Sequence, residues 1–216
     1  MGGLCFDSSK NIYKAVMFPL EKFVMVASLK EDDKTWRRVD LPYDDVPSVK
    51  DGITFHGRLH CRIYSYENPY RVITFDPISE NFDLFPIPEP PKHKHFNCEI
   101  GGLGVLDDCL CMSRGFICDY DYGIEILVMK EYGVKKSWTS LFFIKNRCFD
   151  PHGEFAVLPI TAADNGEVAL LINAHKTELV ICNPKNDKMR KLFLVEYMSG
   201  CISAFTYTLN LKDTLL

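Results

Sequence analysis

The chain has 216 residues, 47% of them apolar and 25% charged, and its 29 acidic and 25 basic side chains leave a formal charge of −4. That length suits one good core, but the scattered basic residues exclude the clustered Lys and Arg that neutralise nucleic-acid phosphates. No apolar run approaches the roughly 18–20 residues that span a bilayer, and Asp7, Lys10 and Lys14 rule out a signal-peptide core in the first twenty residues, so a cytosolic or nuclear protein is expected.

Met1 to Phe18 pairs GLCF with IYKAVMF across Asp7-Ser8-Ser9-Lys10-Asn11, a cluster of turn formers, and predicts a hairpin. Phe23 to Leu29 and Trp36 to Leu41 predict a second strand pair, with Pro42 to Val49 as a crossing loop. Gly52 to Tyr64 turns at His56-Gly57, and Tyr70 to Phe75 leads through Asp76-Pro77-Ile78-Ser79-Glu80 into a strand from Phe82 to Ile87. PIPEPPKHKH, from Pro86 to His95, reads as an exposed, extended connection. Ile100 to Ser113 alternates around Asp107-Asp108, a polar link runs from Cys118 to Tyr122, and Ile124 to Ile144 reads as strand, polar turn, strand. After a loop from Lys145 to Gly153, strands are predicted at Phe155 to Ile160, Glu167 to Ile172, Glu178 to Cys182 and Met189 to Val195, with one more from Met198 to Leu211. No stretch has the period of an amphipathic helix.

A repeat underlies this order. DKTWRRV, SENFDLF, KKSWTSL and NDKMRKL align without gaps on the bulky anchors Trp36, Phe82, Trp138 and Met189. The anchors recur at roughly 50 residues, close to the period of propeller blades. HGRLHC, DDCLCM and NGEVAL form a second register ahead of the last three copies. The expected fold is all-β and β-propeller-like, with about four four-stranded antiparallel blades over 3–42, 52–88, 100–144 and 155–195 and an extra strand over 198–211, in one domain from 3 to 211. So few blades imply a small or partial ring, and a strand beginning within a few residues of Met1 favours the later part of a larger one. The anchors read as packing between blades.

GLCFDSSKNIYKAV (Gly3 to Val16) resembles the opening signature of the F-box-associated, kelch-like β-propeller of plant F-box proteins. TWRRV, ITFHGRLHC, VITFDPISENFDLFPIP, LGVLDDCLCM, IEILVMKEYGVKKSWTSLFFI and NGEVALLINAHKTELVICNPKNDKMRKL are similar, in that order, to the successive blade motifs of that family. VMKEYGVKKSW is the most specific of them. The resemblance implies a protein-binding, substrate-recognition domain of a Skp–cullin–F-box ubiquitin ligase, with a protein target as partner. The alternatives are a non-functional or interfering truncated remnant without adaptor binding, and a kelch-type enzyme, for which the sequence offers no converging ligands. Contact with a Skp-type adaptor and cullin would pass through an F-box, which is absent from these residues. The chain departs from the family pattern at His60-Cys61, where many relatives carry an aromatic, and altered packing is expected there.

Constellations for chemistry are thin, and neither a catalytic function nor a cofactor is expected. His93, His95 and Cys98 lack the fourth ligand and paired spacing of a structural zinc site. Cys109 and Cys111 share one face of a strand and read as core thiols, like most of the nine cysteines, which suits a reducing compartment. Gly101-Gly102-Leu103-Gly104 introduces a strand and favours close backbone packing over phosphate binding. What remains is recognition by loops: Pro42 to Lys50, Pro86 to Asn97 with His93 and His95, and Lys145 to Glu154 with Arg147 and His152. Tyr64, Tyr66 and Tyr70 add an aromatic cluster of the kind enriched at interfaces.

Overall fold

The computed structural model describes residues 2–19, 23–30, 35–42, 48–64, 71–90, 98–118, 121–146, 156–173, 177–183, 185 and 188–195. They form four antiparallel sheets of four strands, each a meander in which consecutive strands pair. The first sheet holds β1 (Gly2–Asp7), β2 (Ile12–Met17), β3 (Phe23–Ser28) and β4 (Trp36–Asp40). The second holds β5 (Ser48–Phe55), β6 (Arg58–Tyr64), β7 (Arg71–Phe75) and β8 (Phe82–Leu84). In the third are β9 (Cys98–Leu106), β10 (Cys109–Cys118), β11 (Asp121–Met129) and β12 (Trp138–Asn146); in the fourth are β13 (Ala156–Ala162), β14 (Val168–Asn173), β15 (Thr177–Asn183) and β16 (Lys188–Val195). The fold is thus all-β, and among the described residues the helical content is a single 3-10 turn, Lys135–Ser137.

Local chemistry accounts for the turns. His56 (φ 48°) and Gly57 (φ 74°) join β5 to β6, and Asp107 (φ 47°) and Asp108 (φ 55°) join β9 to β10. Two consecutive residues with positive φ give the primed turn whose twist matches the flanking strands, and Asp and Gly tolerate that region better than most residues. Between β7 and β8 the Asp76 carboxylate accepts the Ile78 amide at 2.9 Å, the local bond that makes aspartate a turn former.

Several boundaries differ from expectation. The strand expected from Phe82 to Ile87 stops at Leu84, because Pro86 and Pro88 have no amide to donate. Asp121 and Tyr122 of the expected polar link belong to β11, paired with Cys118 and Ile117. The connection from Pro86 is not simply exposed: Phe85 before it is buried, Pro86 to Pro88 are half-buried, and Glu89 meets Lys135 and accepts from Arg114 Nη1 through its backbone carbonyl. The strand expected over 198–211 lies outside the described residues.

The sheets associate in two units, Met1–Ile87 and Pro88–Leu216. In the first unit, alternate side chains of the two sheets meet in a core of Cys5, Val16, Val24, Val26, Leu59, Cys61, Ile63, Ile73, Phe75 and Phe82. Gly3 permits the close approach, since a Cβ there would fall 2.5 Å from Leu59 Cδ1. In the second unit Leu106, Cys111, Ile124, Ile126 and Val128 pack on Val157, Val168, Leu170, Ile172 and Val180. Here Gly102 makes room: a Cβ would lie 2.5 Å from Leu158 Cδ2 and 2.6 Å from the Val157 carbonyl. Each fully buried aliphatic side chain contributes about 1.5–3 kcal/mol, and this area holds the pairs together.

Candidate partner-binding end of the sheets

The direction of the first strand in each sheet decides where every connection emerges. In the first unit a Cβ at Gly52 would lie 3.8 Å from the Gly2 carbonyl, and Thr54 Oγ1 donates to the Leu4 carbonyl, so β1 and β5 run side by side in one direction. In the second unit Gly102 lies against Val157 and Leu158 and Gly104 against Pro159, so β9 and β13 do the same. Because each sheet is a meander, the links from first to second strand and from third to fourth sit at one end. Links from second to third strand, and from the first sheet of a unit to its second, sit at the other end of that unit.

In each unit the described turns at the first of these ends are bonded internally. Besides the primed turns, Ser137 Oγ donates to the Glu131 and Val134 carbonyls at 2.8 Å, and the Gly166 amide donates to the Ala163 carbonyl at 2.8 Å. In the first unit this end also carries a buried ionic latch. Lys14, only 1% exposed, places Nζ 2.9 Å from Asp7 Oδ2 and 2.6 Å from Glu80 Oε1, and donates to the Pro77 carbonyl. Arg37 reaches the same Glu80 carboxylate. Asp7 Oδ1 accepts from Ser9 Oγ at 2.6 Å and from the amides of Ser9 and Lys10. The hydrogen bonds from Lys14 and Ser9 hold the Asp7 carboxyl far below its ordinary range. Burial alone would lower the Lys14 pKa, but Asp7 and Glu80 overcome it and raise it above its ordinary value. Glu80 takes part from a left-handed turn position (φ 58°), a conformation that costs a non-glycine residue about 1–2 kcal/mol.

This latch, joining the first sheet to the β7–β8 turn, was missed by motif reasoning. Its one sequence signal is the position of Lys14, which falls on the inward phase of β2 two residues before buried Val16. His60 was flagged as a departure, and it is fully buried: Nδ1 lies 3.1 Å from the Arg58 carbonyl, and the ring meets Phe85 edge-on at 4.9 Å. Burial pushes its pKa down to about 4.

In each unit the strands bracketing the expected recognition loops end or begin at the second end of that unit. Tyr66, Tyr70, His93, His95, Arg147 and His152 themselves lie outside the described residues, but the strands bracketing them end and begin there. Tyr64 is not a loop residue: it closes β6, half-buried, with Lys50 Nζ 5.4 Å from its ring centroid. Ser48–Lys50 and Lys145–Asn146, expected in loops, belong to β5 and β12. The anchors are placed alike but not packed alike. Trp36, Phe82 and Trp138 open the fourth strand of their sheets, and Met189 is second in its own. Only Phe82 enters the core; Trp36 and Met189 are each 45% exposed, so the expected packing between blades does not describe them.

Among the described residues no group of His, Cys, Asp or Glu is arranged to hold a metal ion, and Cys98 is buried in β9. Burial raises the thiol pKa of Cys98 to about 11 and that of Cys5 to about 12, which suits packing rather than nucleophilic work. No helix among the described residues is long and apolar enough to cross a membrane.

Residues 2–206 match the profile of the F-box associated beta propeller domain. The chain belongs to this family. Two relatives, both from Arabidopsis thaliana, show how far the likeness extends. F-box protein CPR1 is 27% identical over 247 aligned positions, covering 99% of this chain and 55% of the relative. F-box protein At4g22390 is 26% identical over 198, covering 79% of this chain and 47% of the relative. The F-box associated domain therefore spans about half the length of the curated relatives it matches. Among solved structures, cobalt-substituted Synechocystis ACO aligns with a TM-score of 0.34 and 14% identity over 84% of this chain and 48% of that one, too distant to bear on function.

Proposed function

We propose that this F-box associated domain is the target-binding part of a substrate receptor in a Skp–cullin–F-box ubiquitin ligase. It would hold a protein with the loops at the link end of its sheets. The observation that carries the reading is the asymmetry between the two ends. In each unit the described turns at one end bond to themselves, and in the first unit that end also holds a buried latch. The two longest connections, from β8 to β9 and from β12 to β13, leave the other end of their sheets and contain His and Arg residues in the sequence, and connections of varied length on a rigid scaffold are where recognition tends to reside. The names of the relatives support the ligase part of the reading. Adaptor contact belongs to an F-box, and the family match over 2–206 leaves no room for one within these 216 residues.

The test compares two sets of substitutions in a proximity-labelling or cross-linking experiment in plant cells. Alanine at Tyr66, Tyr70, His93, His95, Arg147 and His152 is expected to remove a reproducible set of protein partners. Alanine at Lys136, Asp164 and Asn165, in the turns of the opposite end, is expected to leave that set intact. Fusion to an F-box should then make one of those partners a ubiquitination target. Equal loss from both sets, or none from the loop set, would overturn the reading.

A further inference from the structure

NGEVAL of the second repeat register contains Asn165-Gly166, the one Asn-Gly pair in the chain. At the same place in that register stand His56-Gly57 and Asp107-Asp108, neither of which carries a side-chain amide. Asparagine before glycine is reactive in its own right, because glycine has no side chain to obstruct the approach of its amide nitrogen to the asparagine carboxamide. Here the pair lies in the turn from β13 to β14. The Gly166 amide donates to the Ala163 carbonyl and the Ala163 amide to the Glu167 carbonyl, both at 2.8 Å, and Gly166 has φ 83°. These are the marks of a four-residue turn closed by a glycine in the left-handed region. Asp164, Asn165 and Gly166 are exposed to water. The carboxamide is held at both ends by Glu167: Asn165 Oδ1 accepts from its amide at 2.9 Å, and Asn165 Nδ2 donates to its Oε2 at 3.3 Å. Arg190 Nη2 donates to that same Oε2 at 3.3 Å.

We propose that Asn165-Gly166 is a self-modification site, whose conversion to aspartate and isoaspartate is gated by opening of the β13–β14 turn. The Gly166 nitrogen gives its proton to water and attacks Asn165 Cγ. A bond from that nitrogen to Cγ forms, the bond from Cγ to Nδ2 breaks, and Nδ2 leaves as ammonia with a proton from water. Water then opens the five-membered imide at either carbonyl, leaving aspartate or isoaspartate, and no oxidant, reductant or cofactor is consumed. In the closed turn this step is blocked, because the Gly166 N–H is committed to Ala163 and the carboxamide to Glu167. All of these bonds lie in a surface turn, so local opening breaks them without global unfolding. The products resist closing again. Aspartate at position 165 lacks the donor to Glu167 Oε2 and sets a third carboxylate beside those of Asp164 and Glu167. Isoaspartate adds a backbone atom to a loop whose flanking register pairs Ala162 with Val168. Val168 and Leu170 belong to the core of the second unit, so the loosened turn reaches its packing. The site goes beyond target recognition and uses none of the loops assigned to it.

Peptide mapping by mass spectrometry of the 216-residue chain, aged at neutral pH with and without urea, tests the proposal, with isoaspartate told from aspartate by its fragmentation. In urea, conversion at Asn165 should exceed that at every other asparagine. In the folded chain it should proceed, but roughly tenfold or more slowly, because only the open fraction reacts. Glu167→Ala releases the carboxamide nitrogen and should raise the folded rate about threefold while leaving the urea rate unchanged. Asn165→Gln, whose longer side chain closes the ring far more slowly, should abolish conversion in both conditions. Asn165→Asp, the mimic of one product, should lower the melting temperature by about 2–4 °C. A folded chain that converts as fast as the urea-treated one, or not at all, would overturn the proposal. So would a folded rate indifferent to Glu167→Ala, or another asparagine that converts faster in urea.

Discussion

The two units solve the same packing problem with different chemistry. Both bring two meander sheets together along their first strands, yet the first unit inserts a lysine, an aspartate and a histidine into its interior, while the buried polar side chain described in the second is Ser113, donating to the Val157 carbonyl. Both units use glycine for close approach, but a Cβ at Gly3 of the first would meet the Leu59 side chain, whereas at Gly102 and Gly104 of the second it would meet the backbone of β13. An ionic contact holds by pairing and is sensitive to protonation, whereas a glycine contact holds by shape and is sensitive only to added volume. Each unit contains one of the two tryptophans, Trp36 or Trp138, so Trp→Phe variants allow each to be followed separately by fluorescence.

The largest effect is expected from Gly104→Val. A Cβ at this position would overlap the Pro159 carbonyl, a backbone atom that cannot rotate away. The overpacking should cost about 3 kcal/mol or more in the second unit, read at Trp138, and leave the Trp36 signal unchanged. An unshifted Trp138 transition would show that the sheets are held apart more loosely than the geometry states.

Next comes the latch. Lys14→Met keeps most of the volume but leaves the buried Asp7 carboxylate without its cation, and should lower the midpoint of the first unit by on the order of 5–10 °C. Replacing both partners, as Asp7→Asn with Lys14→Met, should recover most of that loss, since removing a whole buried pair is far milder than orphaning one half. If the double variant melts no higher than the single one, the pair is not the organising contact.

The smallest effect is the response to pH. His60 has a folded-state pKa of about 4 against an ordinary 6.5, so the unfolded chain binds the proton first as pH falls. Its contribution is therefore complete above pH 6.5 and is lost progressively from there toward pH 4. Asp7, with its pKa depressed, adds a further loss below its ordinary 3.8. Lys14, with its pKa raised, contributes fully below its ordinary 10.5 and loses that contribution as pH climbs through the folded value. In the second unit, Cys98 and Cys182 are both raised to about 11 from 9, so its sensitivity lies on the alkaline side. Acid titration should thus move Trp36 before Trp138, and His60→Gln should flatten the response between pH 6.5 and 4. Simultaneous acid transitions at both tryptophans would break the contrast.

The sequence alone determined what depends on neighbours along the chain. Period-two alternation, β-branched runs and turn formers such as His56-Gly57 and Asp107-Asp108 set the strands and hairpins, because those preferences are settled within a few residues. The anchors Trp36, Phe82 and Trp138 fall on the first residue of their fourth strands and Met189 on the second of its own, for the same reason. Tertiary structure alone decided which apolar face of the first sheet is covered and which is open, since GLCF and IYKAVMF are apolar on both. It also decided that Asp7, Lys14 and Glu80 meet: the lysine and the glutamate are 66 positions apart and converge only when the second sheet docks. Gly102 and Gly104 could be read from sequence as sites of close approach, but the strand that approaches them, β13, became known only once the fold brought it there.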